Sequence, residues 1–507
     1  MFPDVDGVEP DESLDAMYWA YGQKILRAAK AVREHRNIYG IYVTNFGCGP
    51  DSFITHFFKK SLGDKPFLQL EIDEHSADAG MITRLEAFLD SIKNAKGRGS
   101  TKQSRVRKYG TDAHQRTIFI PNMSDHSYGI AAAFRACGVN AAVMDESDEE
   151  TIHHGRKHTT GRECYPCILT TGDMVKTVLN KDFNPDRAAF FMPSGSGPCR
   201  FGQYNRFHRL VLDELGFHNV PIYAPNQDRT FYEEFHLVGE RFSRLAWRSV
   251  VATDLLIKML HQTRPYEARK GESEEVYRQA VGSLSAVIEN GNDGIVDMLT
   301  QAVQRFLAVD QKAPQKPVVA ILGEIYVRNN RFSNSRIIQR IEEFGGEVSL
   351  APVSEWISYV NYLNRYRQSE TRLTLTEFLK LLLVEHVQKQ EEHRLESIFL
   401  KYLRHGEEPS TKEVLKKASP YVHESFEGEA ILTIGKAIDL IDKGVCGIIN
   451  VSPFNCLPGT IASALLRLVQ KRHGIPVINI AYDGQGETNI TTRLEAFMYQ
   501  VKDQLNR

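Results

Sequence analysis

Two segments near opposite ends of the chain repeat one sequence pattern. The hexapeptide TRLEAF occurs at Thr83–Phe88 and again at Thr492–Phe497, and a cysteine, Cys48 or Cys456, precedes each copy at nearly the same distance. A short apolar run leads into each cysteine, IYGIYVTNF in one copy and CGIINVSPF in the other. Such runs are rich in β-branched and aromatic residues and too short for a core helix, so they predict buried strands. The repeat therefore predicts a duplicated unit of strand, cysteine-bearing turn, helix and strand.

A proline stands two residues after each of these cysteines. Proline suits the first turn of a helix, where its missing N–H group costs nothing. We therefore expect Cys48 and Cys456 in strand-to-helix turns, close to helix N-termini. At such a position the backbone N–H groups and the positive end of the helix dipole stabilise a thiolate, which is the form of cysteine that binds metals. The duplication thus predicts one metal ligand from each end of the chain.

Strand-like and helix-like segments alternate along the rest of the chain at the spacing of βαβ units, with two long helical stretches between them. This alternation predicts an α/β fold of several Rossmann-like parallel-sheet domains with helical insertions. We divide the chain into four parts. Residues 1–145 form an α/β domain with the first repeat copy, and residues 146–226 form an α/β domain with a Cys-x-x-Cys pair and the Cys199 turn. Residues 227–315 are a helical connection, and residues 316–507 form an α/β domain with a helical insertion and the second copy.

Composition places the chain in the soluble globular class. Of its 507 residues, 42% are hydrophobic and 25% are charged, which is ordinary for such proteins. The acidic start MFPDVDGVEPDESLD is not a signal peptide, and no apolar run approaches the roughly 20 residues of a spanning helix, so we expect a cytoplasmic protein that does not bind membranes. A formal charge of −2 gives no case for a nucleic-acid partner. We interpret the basic stretch at residues 93–108 as a solvated loop.

The seven cysteines of a reducing compartment do not predict a disulfide framework. In parallel α/β sheets the functional crevice lies beyond the carboxyl ends of the strands, where the strand-to-helix turns gather. Five cysteines lie at such turns or at helix starts, and we predict these as metal ligands: Cys48, Cys164, Cys167, Cys199 and Cys456. We interpret Cys137 and Cys446 as small core residues.

Glycine or proline stands near each of the five cysteines, which leaves backbone N–H groups free to point at a sulfur-rich anion. The turn SGSGPC is the clearest example, and Ser194, Gly195 and Gly197 within it are candidate cofactor-binding residues. The same turn is similar to a phosphate cradle, but it lacks the Lys-Ser/Thr of a P-loop. Zinc is the rival metal, because the segment from His153 to His158 precedes the Cys-x-x-Cys pair. Its spacing is not that of a zinc finger, and we interpret it as a basic loop.

Several motifs together resemble the 2-hydroxyacyl-CoA dehydratase and activase superfamily: CYPCILTTGD, PSGSGPCRFGQYN, GEIYVRNNRFSN, SEWISYVNYLN, PFNCLPGTI and YDGQGETNITTRLEAF. More closely, the chain is similar to the C-terminal, dehydratase-subunit-like part of large activase-like proteins and to the related double-cubane cluster proteins. The resemblance runs from about residue 15 to the end of the chain. In that superfamily an ATPase of the actin and sugar-kinase type passes a low-potential electron to an iron–sulfur protein, whose clusters are held by cysteines.

The resemblance implies a 4Fe-4S or larger double-cubane cluster, an ATPase of that type as a separate or fused partner, and a small-molecule substrate. The sequence shows no actin-like phosphate loops, so the resemblance implies the electron-accepting component. Five thiolates exceed the four ligands of one cubane, so either the cluster is larger or one cysteine is not a ligand. A zinc-stabilised scaffold and a nucleotide-binding module remain as alternatives, and homo-oligomers are compatible with all three.

The duplication also makes structural predictions. The turns of Cys48 and Cys456 should open on one shared cleft that also receives Cys199 and the Cys-x-x-Cys pair. The two TRLEAF helices should pack in the same way behind their strands. On each helix the leucine and the phenylalanine lie three residues apart on one face and should be buried: Leu85 and Phe88, and Leu494 and Phe497.

Overall fold

Three parallel β-sheets flanked by helices form the framework of the protein in a computed structural model. The structure describes residues 17–45, 48–95, 115–195, 197–225, 239–291, 294–367, 375–404, 406–485 and 489–505. Most of the basic stretch at residues 93–108 lies outside these ranges. Within them, no helix is both long enough and apolar enough to cross a bilayer.

The strands, in chain order, are β1 (Gly40–Thr44), β2 (Phe67–Glu71), β3 (Thr117–Ile120), β4 (Ala141–Val143), β5 (Ala188–Phe191), β6 (Ile222–Tyr223), β7 (Val318–Gly323), β8 (Glu347–Leu350), β9 (Gly447–Pro453) and β10 (Val477–Tyr482). The α-helices are α1 (Ala20–Glu34), α2 (Asp51–Leu62), α3 (Asp78–Asn94), α4 (His126–Ala136), α5 (Glu149–His158), α6 (Tyr165–Val178), α7 (Tyr204–Glu214), α8 (Gly239–Thr263), α9 (Glu272–Glu289), α10 (Ile295–Leu307), α11 (Ile325–Asn329), α12 (Ile337–Glu343), α13 (Ser354–Arg367), α14 (Leu375–Phe399), α15 (Thr411–Ala418), α16 (Glu429–Asp442), α17 (Leu457–His473) and α18 (Ile490–Leu505).

The strands form sheets of order β1-β2, β4-β3-β5-β6 and β10-β9-β7-β8. Every neighbouring pair within these sheets is parallel. The central strands β5 and β9 are buried along their whole length, as expected for parallel strands that helices cover on both faces. The predicted α/β fold with several parallel sheets is therefore confirmed.

The second sheet contains strands from both sides of the boundary drawn between residues 145 and 146. Strand β3 pairs with β4 on one side and with β5 on the other, so the segments 1–145 and 146–226 share one sheet. The first repeat copy stands apart from them as the two-stranded sheet β1-β2. Helices α8, α9 and α10 occupy the segment that the sequence assigned to a helical connection.

The duplicated unit is present in both copies as a strand, a cysteine-bearing turn, a helix and a parallel strand. The TRLEAF helices, however, do not pack equivalently. In α18, Leu494 and Phe497 are buried against the third sheet, whereas in α3 only Phe88 is buried and Leu85 stays partly exposed. The prediction for Leu85 was wrong, because α3 covers a sheet of two strands and α18 covers a sheet of four.

Helix α6 lies at the junction of the three units that are built on the three sheets. All its residues from Tyr165 to Val175 are buried. Residues of its N-terminal turns belong to two core clusters, one that includes Phe53 of α2 and Tyr204 of α7 and one that includes Ile449 of β9. A helix that is surrounded on all sides has no solvated face. Because α6 begins directly after Cys164, its N-terminus carries the Cys-x-x-Cys pair to the junction of the three units.

Glycines allow α5 and α6 to pack backbone to backbone. A Cβ atom on Gly172 would lie 1.9 Å from the carbonyl oxygen of Thr151, and one on Gly155 would lie 2.1 Å from that of Ile168. We expect Gly172→Ala to lower the free energy of unfolding by about 3 kcal/mol, because a backbone atom cannot move aside as a flexible side chain can. Urea unfolding followed by circular dichroism measures the change.

The matched control is Gly282→Ala in the middle of α9, where nothing lies within 4 Å of the added Cβ atom. That substitution should stabilise the protein by about 0.5–1 kcal/mol, because alanine has the higher helix propensity. If both variants raised the free energy of unfolding alike, the close contact between α5 and α6 would be refuted.

Candidate functional site

Four predicted metal ligands lie at or beside the start of a helix. Cys164 is the N-cap of α6, Cys456 is the N-cap of α17, and Cys199 is the N-cap of the short 3-10 helix Arg200–Gln203. Cys48 lies two residues before Pro50, which is the N-cap of α2. The prediction that Cys48, Cys199 and Cys456 occupy strand-to-helix turns is confirmed, and Cys167 follows in the first turn of α6.

The guanidinium group of Arg200 joins three of these turns. Its Nη1 donates to Ser52 Oγ and to the carbonyl oxygen of Arg162, both at 3.2 Å. Its Nη2 donates to the carbonyl oxygen of Asn455 at 2.7 Å. Ser52 belongs to the turn of Cys48, Arg162 precedes the Cys-x-x-Cys pair, and Asn455 precedes Cys456. Because Arg200 itself follows Cys199, one side chain fixes four cysteine-bearing segments relative to one another.

The turns of Cys48 and Cys456 also share a cleft. Its walls come from the end of β1, the first turn of α2, the segment before the Cys-x-x-Cys pair, and the loop after β9. The lining residues include Thr44, Cys48, Asp51, Ser52, Gly161, Arg162, Phe454 and Asn455. The structure therefore brings the two cysteine turns together, but of the five candidate cysteines it is Cys48 that lines this cleft. One cleft that also receives Cys199 and the Cys-x-x-Cys pair stays a prediction.

The Cys-x-x-Cys pair is buried on the inner side of this arrangement. Cys167 is fully buried and Cys164 nearly so, and the Cys164 Sγ contacts the Tyr204 hydroxyl. The preceding residue, Glu163, hydrogen-bonds to His56 of α2. Burial opposes ionisation of Glu163, but the hydrogen bond and charge of His56, together with hydrogen bonds from the backbone and Thr160, outweigh it and lower the pKa of the carboxyl group. The first repeat copy thus anchors the loop that carries the pair.

Arg200 is a buried cation, only 6% exposed. Within the described part of the chain, no carboxylate forms an ion pair with it. Burial alone would lower the pKa of Arg200, but Cys164, Tyr204, Cys456 and Cys199 lie close enough to raise it. A buried charge without a partner of opposite sign is strongly destabilising. Arg200 therefore favours negative charge on Cys164, whereas Glu324 and Glu429 oppose it on Cys199 and Cys456.

Burial raises the pKa of all five candidate thiols: Cys48, Cys164, Cys167, Cys199 and Cys456. Backbone N–H groups at the helix starts favour the thiolates of Cys48, Cys164, Cys199 and Cys456, as predicted, but desolvation outweighs them. At Cys456, for example, the N–H group of Gly459 donates to Sγ at 3.4 Å, but desolvation outweighs this bond. In such a site the positive charge of a metal is what ionises a coordinating thiol.

The described cysteine sulfurs do not form a tight group of the kind that holds a single metal ion. Among the described residues, no cysteine belongs to a group of three metal-ligating atoms within 4.8 Å of one another. Three sulfurs bound to one zinc ion at about 2.3 Å would lie about 3.8 Å apart. The described cysteines therefore do not form a zinc site with three cysteine ligands already in place. The group of this kind found among the described residues is His393, Glu396 and Glu407, and it contains no cysteine.

The histidine-rich segment before the Cys-x-x-Cys pair is helical. His153 to His158 form the second half of α5, so our interpretation of this segment as a loop was wrong. Asp148 caps the helix through a capping box with Thr151, and acidic residues occupy its first turn. The basic residues at its C-terminal end therefore interact favourably with the helix dipole.

The glycine-rich turn before Cys199 is held by other parts of the chain. The Ser194 hydroxyl donates to the carbonyl oxygen of Gly202 at 2.9 Å, and Trp19 Nε1 donates to that of Gly197 at 2.9 Å. Gly197 has a φ of 127°, which glycine adopts readily and other residues do not. These contacts support the position of Cys199, while cofactor binding by Ser194, Gly195 and Gly197 stays a prediction.

Sequence reasoning missed four polar residues around the cysteines: Arg200, Tyr204, Glu324 and Glu429. Glu324 and Glu429 both raise the pKa of the thiols of Cys199 and Cys456. Burial and the neighbouring Glu324 in turn raise the pKa of Glu429. The motifs GPCRFGQYN and GEIY contain three of these four residues, but only their positions in space show that they face the site.

The other two cysteines, Cys137 and Cys446, pack partly buried at the edges of core clusters.

A buried carboxyl group on α6 gives a pH-dependent prediction. Burial raises the pKa of Asp173 to about 7, although Ser147 and Thr151 each donate to it at 2.9 Å. Because the folded state holds this proton more tightly than the unfolded state, stability is lost as the pH rises from about 4 to about 7. In the wild-type protein the free energy of unfolding should fall by up to about 1.4 kcal/mol per pH unit in that window, and Asp173→Asn should abolish this fall. Urea unfolding at several pH values measures it, and parallel curves for the two proteins would contradict the prediction.

Comparisons with known proteins do not assign a family. No protein-family model matches the sequence, and no curated protein matches it. The resemblance to the dehydratase and activase superfamily therefore rests on the motifs themselves.

Proposed function

We propose that this chain is an iron–sulfur protein that accepts a low-potential electron from an ATP-hydrolysing activase and passes it to a small substrate. The observation that carries the proposal is the position of Arg200, a buried cation that hydrogen-bonds to three cysteine-bearing segments and interacts electrostatically with Cys164, Cys199 and Cys456. An ATPase of the actin and sugar-kinase type, separate or fused, is the proposed electron donor, and the cytoplasm is the proposed location.

The charge of the site supports this cofactor. Iron–sulfur clusters are held by thiolates, so a cluster with its ligands is anionic and would compensate the charge of Arg200. The five candidate ligands come from four separate segments of the chain. Ligands that are spread in this way suit a cluster of several metal atoms better than a single ion. The features that support the cluster are thus the charge of the site and the type of its candidate ligands.

In the proposed mechanism, Cys48, Cys164, Cys167, Cys199 and Cys456 would hold a 4Fe-4S or larger double-cubane cluster. When bound, such a cluster supplies one-electron chemistry at low potential. The chain's own residues bind and shield it: α6 excludes water from the inner side, Arg200 fixes the turns, and the Tyr204 hydroxyl contacts Cys164 Sγ. The cleft beside Cys48 is the opening through which a small substrate would enter.

Anaerobic purification followed by iron and acid-labile sulfide analysis tests the proposal. We expect a brown protein with iron and sulfide in similar amounts and an EPR signal after reduction. A colourless protein that holds zinc would favour the scaffold alternative and overturn the proposal. The isolated chain should not hydrolyse ATP, and ATPase activity that is lost on changing the turn at Ser194 would instead favour the nucleotide-binding alternative.

A further inference from the structure

Two side chains of α14 and one side chain of the segment that follows it bring three metal-ligating groups together. They are His393, Glu396 and Glu407, and one nitrogen or carboxylate oxygen of each lies within 4.8 Å of those of the other two. Two ligand atoms bound to one transition-metal ion at about 2.1 Å can be at most about 4.2 Å apart. His393 Nδ1 and Glu407 Oε1 are 3.8 Å apart. Small side-chain movements would therefore close the three groups on one ion.

The fold holds these groups together through contacts that do not use the ligand atoms. The two ligands from α14 are three residues apart and so project from the same face of the helix. The backbone carbonyl oxygen of Glu407 accepts from Lys443 Nζ at 2.9 Å. The next residue, Glu408, pairs with two lysines, Lys258 and Lys436. The segment of Glu407 is therefore fixed beside α14 while its own carboxylate stays available for an ion.

Glu396 is the buried member of the group. It is 8% exposed, and among the described residues its carboxylate has neither a hydrogen bond nor an ion pair. Burial raises the pKa of Glu396, and Glu408 and Glu407 add to this rise. Lys258 and His393 oppose the rise without outweighing it. A buried carboxylate without a partner is costly, so Glu396 is a ligand whose charge a bound cation would compensate.

The other two ligands give an ion access from solvent. The side chains of His393 and Glu407 are 69% and 62% exposed. Three protein ligands also leave coordination positions for water. An imidazole suits zinc and other late transition metals, and carboxylates suit manganese as well. One imidazole with two carboxylates therefore favours a divalent transition-metal ion over Mg²⁺ or Ca²⁺, which take oxygen ligands.

We propose that His393, Glu396 and Glu407 bind one divalent transition-metal ion, which links α14 to the segment that follows it. The site contains no cysteine and is separate from the proposed iron–sulfur site. Its existence therefore does not depend on the proposed function.

Titration of the anaerobically purified protein with Mn²⁺ tests this site. The loss of the EPR signal of free Mn²⁺ at room temperature measures binding, and Mn²⁺ is chosen because thiolates select softer metals. We expect the wild-type protein to bind one Mn²⁺ ion per chain at this site. Zn²⁺ should then release the bound Mn²⁺, because zinc binds such sites more tightly than manganese does.

Glu396→Gln and Glu407→Gln should each weaken Mn²⁺ binding more than about 100-fold. Loss of a group that merely supports a ligand already costs 10–100-fold in affinity, and these substitutions change the ligands themselves. Because Glu407 is exposed, its variant should fold even if burial makes the Glu396 variant unstable. Far-ultraviolet circular dichroism checks the fold of both variants.

His386→Ala is the matched control for His393→Ala. His386 lies seven residues earlier on the same helix, is exposed, and contacts Gln390 rather than the metal-ligating group. Its variant should bind Mn²⁺ as the wild type does, whereas His393→Ala should lose binding as the glutamate variants do. The proposal is overturned if the wild-type protein takes up no Mn²⁺, or if His393→Ala and Glu407→Gln bind it with wild-type affinity.

Discussion

Replacing Cys199 with serine is expected to remove most of the bound iron while leaving the fold intact. Iron–sulfur clusters are held by cysteine thiolates, and a serine hydroxyl is a much weaker ligand because it ionises far less readily than a thiol. Cys199 caps a short 3-10 helix in a turn that Tyr18 and Trp19 also hold, so the substitution leaves the supporting contacts in place. Iron and sulfide per chain, together with the far-ultraviolet circular dichroism spectrum, measure the two effects separately.

Cys137→Ser is the matched control. Cys137 ends α4 and packs partly buried against the core cluster of the second sheet, without contact to the site. This variant should keep its iron and lose about 1 kcal/mol of stability, because a hydroxyl group replaces a thiol in apolar surroundings. Undiminished iron and sulfide in Cys199→Ser would show that Cys199 is not a ligand.

Arg200→Gln is expected to lose iron as well and, in addition, to lower the free energy of unfolding by about 3 kcal/mol. The substitution removes the hydrogen bonds to Ser52, Arg162 and Asn455, so the carbonyl oxygens of Arg162 and Asn455 lose a charged donor. Without this link the turns of Cys48 and Cys456 are no longer held at the same distance. Iron content and urea unfolding of the same preparation measure both effects.

Arg200→Lys separates geometry from charge. Lysine keeps the positive charge but lacks the planar fork that reaches several acceptors, so it should recover only part of the bound iron. In any cluster that Arg200→Gln retains, the reduction potential should be lower than in Arg200→Lys, because the glutamine variant lacks a nearby positive charge that favours the reduced state. Wild-type iron content and wild-type stability in Arg200→Gln would refute the role of this side chain.

The local structure of the cysteine segments was predictable from sequence. A short apolar run, a cysteine and then glycine or proline predict a strand, a turn and a helix start because these preferences act within a few residues. Cys164, Cys199 and Cys456 accordingly cap helices. The duplication also predicted that the two strands of each copy pair in parallel, since a strand followed by a helix returns to its own sheet. The α/β fold and the positions of the candidate ligands in turns therefore followed from the sequence alone.

The sequence did not show how the two copies would differ. Leu85 and Leu494 occupy identical hexapeptides, yet only Leu494 is buried. The difference arises because β7 and β8 extend the sheet of the second copy, whereas β1 and β2 stand alone. Burial depends on which distant strands join a sheet, and a local pattern does not contain that information.

The site itself was decided by tertiary structure. Arg200 and Asn455 lie 255 positions apart in the chain, and their hydrogen bond exists only because the units pack around α6. The same packing desolvates the thiols and raises their pKa, which outweighs the effect of the backbone N–H groups at their helix N-termini. The sequence thus determined which residues could serve as ligands, because that depends on residue type and local turn chemistry. Tertiary structure decided which charges surround them and how far water is excluded, because those depend on contacts between segments that are distant in sequence.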